Sequence, residues 1–186
     1  MRWWREVEVI ATTMDILSHG LYGALYGKVV NQKLENHPVH IGWAFWWGIF
    51  PDIFAFAPGF VYDLYRRLRG MEPLFRKPDG TLQSWTPGFD SVPHATQFLY
   101  QISHSLVVFA LVFGVVWLLT GRIPWVLIPW AMHILMDVPT HSMEFYPTPV
   151  LWPVSDWKFL HGFSWAQGWF MATNYGILLL LYLRFW

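Results

Sequence analysis

Residues 123–141 read IPWVLIPWAMHILMDVPTH, and the reading of this stretch decides the fold. Most of it is apolar enough for a membrane helix, yet it closes on His133, Asp137 and His141. Residues four apart on a helix lie one above the other on a single face. That face offers an imidazole nitrogen and a carboxylate oxygen to one metal ion. A His–Asp pair on a helix stabilises it by only roughly 0.2–0.5 kcal/mol. Desolvating a carboxylate costs several kcal/mol unless something compensates it. A divalent cation would compensate, and ionisable groups at membrane depth are functional candidates by default.

Working outward, the composition agrees with a membrane setting. Of 186 residues, 55% are hydrophobic and 13% charged, too apolar for an ordinary soluble domain. The 14 Trp, 8 Tyr and 15 Phe suit a protein that meets lipid headgroups. The formal net charge is zero, so no bulk charge points to nucleic acid. Cysteine is absent, so a metal would be held by His, Asp or Glu. The start, MRWWREVE, mixes acids with bases and is not read as a cleaved signal peptide.

Five apolar segments are expected as helices, since lipid leaves no backbone group unsatisfied. They run over 14–30, 38–58, 99–120, 123–141 and 163–186, the later four long enough to span. The fold expected is all-α: a polytopic membrane bundle of about five helices, forming a single integral membrane domain over 1–186. Residues 59–98 form a long linker whose first part, Phe60 to Arg69, reads as an interfacial helix. Residues 142–162 are expected to cover the site. Eight Lys and Arg fall on the amino-terminal side (Arg2, Arg5, Arg66, Arg67, Arg69, Arg76, Lys77, Lys158). Four fall opposite (Lys28, Lys33, Arg122, Arg184), which puts the amino terminus in the cytoplasm.

Topology then gathers the ionisable residues. Asp15 and His19 open the first segment, Asp52 closes the second, His104 opens the third, and His133, Asp137 and His141 close the fourth. Odd helices start, and even helices end, on one side. All of these groups therefore meet near one membrane face. Each also has a bland reading. Asp15 is a helix cap, Asp52 a helix-end turn, and His104 an interfacial histidine. His37, His40, His94 and His161 default to headgroup-facing or solvated histidines. His141, Glu144, Asp156 and His161 lie on the pocket side with no diagnostic spacing.

The ordered motifs MDILSHG (14–20), GIFPD (48–52), SHS (103–105) and HILMD (133–137) resemble the membrane-bound metal-dependent hydrolase family of inner-membrane hydrolases. Their order is also similar, at a distance, to the zinc-dependent phospholipase C group. The resemblance implies that Asp52, His104, His133 and Asp137 hold one zinc ion. It implies that His19 holds a second, bridged by Asp137. The phospholipase group adds a ligand from its mature amino terminus, a place Asp15 would take here. Some members carry a further Asp where this chain has Phe54.

Imidazole and carboxylate ligands suit zinc, with manganese or iron as alternatives. One or two ions would activate a water for hydrolysis of a phosphoester or lipid-like substrate. Asp52 or Asp15 would orient that water or take its proton. Arg66, Arg67 and Arg69 either hold an anionic headgroup or serve only as a topogenic cluster. A transporter or metal carrier with an intramembrane His/Asp site is the alternative. A bis-histidine haem protein using His19, His104 or His133 is a third reading.

Overall fold

The computed structural model describes residues 3–33, 38–71, 94–141, 147–165 and 167–186, with side chains from residue 16 onward. Among the described residues the protein is all-helical. The helices are α1 (Trp3–Lys33), α2 (Ile41–Leu68), α3 (His94–Ser103), α4 (Leu106–Thr120), α5 (Ile128–Thr140) and α6 (Gly168–Phe185), with a 3₁₀ turn at Trp125–Leu127 before α5.

Several expected boundaries move. The first helix starts at Trp3, well before Met14, so Asp15 lies in its interior and does not open it. The side chain of Asp15 lies outside the described residues. The second helix runs through Pro51 and Pro58 to Leu68. Each proline removes one backbone hydrogen bond and crowds the preceding turn. Neither stops the helix here, because Pro51 is packed inside and the apolar run continues on both sides. Phe60 to Leu68 is therefore the last third of α2, not a separate interfacial helix, and Asp52 sits mid-helix. Pro139 is likewise accommodated within α5.

The segment 99–120 is broken. α3 stops at Ser103, α4 starts at Leu106, and the two meet at 57°. Serine side chains compete for backbone partners and so end and begin helices. Ser105 Oγ accepts from the Val107 and Val108 amides at 3.1 and 3.2 Å, capping α4. His104 thus lies at the break and does not open a helix. α5 has 13 residues, about 20 Å of helix. α2 is the one described helix long and apolar enough to cross a membrane by itself; α3 and α4 qualify only as a bent pair.

α2 is the central element, packed against α1, α3 and α5, with α6 against α1. Its buried face is Ala44, Gly48, Pro51, Ala55, Gly59 and Asp63, a spacing of three and four residues. Small residues let α1 come very close. A Cβ at Gly23 would run into the Ala44 carbonyl, and one at Gly48 into the His19 carbonyl. The α6 side is held by polar contacts: Tyr22 donates to Asn174 Oδ1 at 2.9 Å, and Tyr182 to the Leu21 carbonyl at 3.0 Å. Trp130 anchors the interior. It is stacked on Trp47, edge-on to Phe50 and Phe109, and donates Nε1–H to the Ser103 carbonyl at 2.6 Å.

Candidate metal centre

Four elements bring five side chains together. His19 comes from α1, Asp52 from α2, His104 from the α3–α4 break, and His133 and Asp137 from one face of α5. His19, His104, His133 and Asp137 are buried, and Asp52 is the least enclosed, with its side chain 12% exposed.

Asp137 divides its two oxygens. Oδ2 lies 3.1 Å from His133 Nε2 and 3.3 Å from His104 Nε2. Oδ1 lies 3.1 Å from His19 Nε2 and 3.7 Å from His141 Nδ1. Neither oxygen accepts a hydrogen bond of ordinary geometry, although both are sealed from solvent. Asp52 Oδ1 faces the same pair of rings, 3.5 Å from His104 Nε2 and 3.7 Å from His133 Nε2.

The far nitrogens explain how the rings are aimed. His133 Nδ1 lies 2.7 Å from the Gly48 carbonyl, which can only accept. Nδ1 therefore carries the proton, and in the neutral ring Nε2 presents a lone pair. His104 Nδ1 lies 3.2 Å from the Tyr100 carbonyl and 2.9 Å from Ser103 Oγ, and the same assignment follows. The two Nε2 atoms are 3.2 Å apart. Two lone pairs thus point at one another and at two carboxylates. Acceptors that converge in this way are relieved by a metal ion, or by a proton on one of the rings.

The spacing suits a divalent ion. Zinc bonds of about 2.0–2.2 Å in a tetrahedron separate neighbouring ligand atoms by about 3.3–3.6 Å. The five measured separations among Asp52 Oδ1, Asp137 Oδ2, His104 Nε2 and His133 Nε2 run from 3.1 to 3.7 Å. The donor chemistry and spacing therefore fit a metal. His19, His133 and Asp137 form a second, overlapping group of the same kind.

His141 is buried against Asp137, closer than its spacing required. Its Nδ1 lies 3.1 Å from the Asp137 carbonyl and closes the end of α5. His40 accepts from the Trp43 amide and caps α2, while His94, Asp156 and His161 are exposed. His37 and Glu144 lie outside the described residues. The described part of the expected cover, 147–162, is tied to the site. Leu106 donates to the Val150 carbonyl at 2.9 Å, and Ser105 Oγ donates to the Trp152 carbonyl. Beyond it, Phe163 and Trp165 bond to the carbonyls of Pro139 and Thr140, each at 3.0 Å.

Sequence reasoning overlooked the carbonyls of Gly48 and Tyr100 as orienting groups. Gly48 stands in the GIFPD motif, but a backbone carbonyl leaves no residue-type signal. Gly48→Ala is expected to push α1 from α2 and drag the carbonyl off His133. Overpacking of this kind costs about 1–3 kcal/mol, and loss of an orienting bond costs about 10–100-fold in metal affinity. A lower melting midpoint and weaker zinc titration would show it. Unchanged affinity would separate Gly48 from the site.

Comparison with protein-family models, with curated proteins and with solved structures finds no match for this chain.

Proposed function

We propose that this protein is a membrane-embedded, metal-dependent hydrolase acting on a phosphoester within a lipid-like substrate. The observation that carries the proposal is the convergence of His104 Nε2, His133 Nε2 and both Asp137 oxygens, all sealed from solvent and all acceptors. The motif order read from the sequence selects hydrolysis among the activities such a centre can support.

The membrane assignment rests on the outer faces. No residue of α4 is buried, and Leu111, Leu118 and Leu119 stand fully outward. Leu179, Leu180 and Leu183 do the same on α6. We read α1, α2, the bent α3–α4 pair, α5 with the 3₁₀ turn before it, and α6 as the five segments of a bundle embedded in the inner membrane, with the amino terminus cytoplasmic. Asp52 lies eleven residues from both Ile41 and Asp63, about 16 Å of helix each way. Within α2 the pocket is therefore central.

A bound divalent ion, zinc or else manganese or iron, would supply Lewis-acid polarisation of a phosphoryl oxygen and an acidified water. The chain's own groups do the rest. The Gly48 and Tyr100 carbonyls lock His133 and His104 with their lone pairs inward. Asp137 offsets the positive charge from within the bundle. Asp52, farther from the rings and nearer solvent, takes the proton of the attacking water. His19, on the other oxygen of Asp137, provides for a second ion.

A haem between His104 and His133 would need their Nε2 atoms well beyond 3.2 Å. Ligands gathered in one pocket, not strung along a path, favour chemistry over transport. The test is a hydrolysis screen on phospholipids and generic phosphodiesters with added zinc or manganese, beside metal analysis of the purified protein. Metal-dependent turnover abolished by a chelator is expected. Absence of both bound metal and turnover would refute the proposal.

A further inference from the structure

We propose that the turn over residues 151–160 seats in the headgroup layer of one leaflet, with Leu151, Val154, Trp157 and Leu160 in contact with lipid. The inference rests on the membrane part of the reading above and does not depend on the hydrolase part.

These four side chains recur at every third position and all are exposed, Val154 with 78% of its surface. Looseness does not explain them. The Val154 and Ser155 amides both donate to the Leu151 carbonyl, at 2.9 and 3.0 Å, and the Trp157 amide donates to Ser155 Oγ at 3.2 Å. The turn is also pinned to the bundle. Leu106 donates to the Val150 carbonyl, Ser105 Oγ donates to the Trp152 carbonyl, and the Trp152 ring stands edge-on to Phe98 of α3. A fixed frame thus holds large apolar groups outward on one short turn, the mark of a surface that meets protein or membrane.

The place of the turn decides between the two. It is bonded to the start of α4, and Trp165, just before α6, is held on the Thr140 carbonyl at the end of α5. From that level α4 and α6 run for 15 and 18 residues, about 22 and 27 Å of helix. A hydrocarbon core is about 30 Å thick. The outward leucines of both helices are the lipid-facing surface of the reading above, and they finish at exposed Arg122 and Arg184. With arginines at one limit of this apolar belt, the turn stands at the other, where Trp side chains collect. Exposed Asp156 and His161 lie among and beside the apolar residues, the mixture of an interfacial element and not of a spanning one. Ser105 adjoins His104, so the seat lies beside the metal centre.

The chain has no cysteine, so Val154→Cys carries a single nitroxide label. Leu111→Cys, on the outward face of α4, is the reference inside the hydrocarbon. The full chain is reconstituted in vesicles of phosphatidylethanolamine and phosphatidylglycerol. Collisions with oxygen and with a water-soluble nickel chelate then give the depth of each label by electron paramagnetic resonance. The Val154 label is expected about 5–10 Å below the phosphates, shallower than the Leu111 label. Leu160→Cys is expected to report the same layer, which keeps the test intact if one variant fails to fold. Turn labels reached by the chelate as freely as in bulk water overturn the seat. Labels shielded from both oxygen and chelate give the turn to a protein partner, a second copy included, and overturn it too. A Leu111 label in water overturns the membrane reading itself, whereas a Leu111 label in hydrocarbon with the turn labels in water overturns the seat alone.

Discussion

Asp137→Asn is expected to strip the metal and abolish turnover together. Among the described residues, Asp137 is the one carboxylate that addresses both groups of imidazoles, Oδ2 toward His104 and His133 and Oδ1 toward His19. Loss of a merely supporting group costs about 10–100-fold in metal affinity, so loss of this carboxylate costs at least about 100-fold. The fold is expected to survive. An asparagine amide has two N–H donors, and it can offer them to the lone pairs of His104 and His133. A buried carboxylate facing acceptors is replaced by a neutral group that satisfies them, which removes a desolvation cost. The metal-free variant is therefore expected to melt no lower than metal-free wild type. Metal content by mass spectrometry and a thermal melt make the measurement. Wild-type metal content in the variant would sink the proposed centre.

Asp52→Asn is expected to behave differently, and the contrast locates the chemistry. Asp52 stands 3.5 and 3.7 Å from the two rings, the longest separations among the four donors, and is the most exposed of them. It is the donor most easily released from a ligand role. The variant should keep its metal while kcat falls about 10²–10⁴-fold, the range for loss of a general base. A base works only when deprotonated, so wild-type activity falls as pH drops through its titration. The variant has no such acid limb. Metal loss equal to that of Asp137→Asn would make Asp52 a ligand and not a base. A retained acid limb would assign the proton transfer elsewhere.

Much of the site was legible in the sequence, for a definite reason. The His133–Asp137 pair follows from helix periodicity alone. The parity expected of successive crossings places His19, Asp52 and His104 on the same side as that pair, and the structure gathers these five side chains. Helix limits were less legible. Pro51 and Pro58 read as stops, yet α2 passes both, because a proline's local cost is offset when its helix is packed along a whole face. The 99–120 run read as one helix, yet it breaks at His104 and Ser105. That break depends on Ser105 capping α4 and donating to Trp152, a residue far away in sequence.

The sequence by itself determined which donor types exist, how they repeat along each helix, and that thiolates play no part. Only the tertiary structure decided which nitrogen each imidazole presents. For His133 that choice is made by the Gly48 carbonyl, 85 residues away, on α2. Helical spacing is a local property and fixes the face on which a ring sits. The proton on the ring is placed by whatever acceptor the neighbouring helix supplies, and every residue carries the same carbonyl.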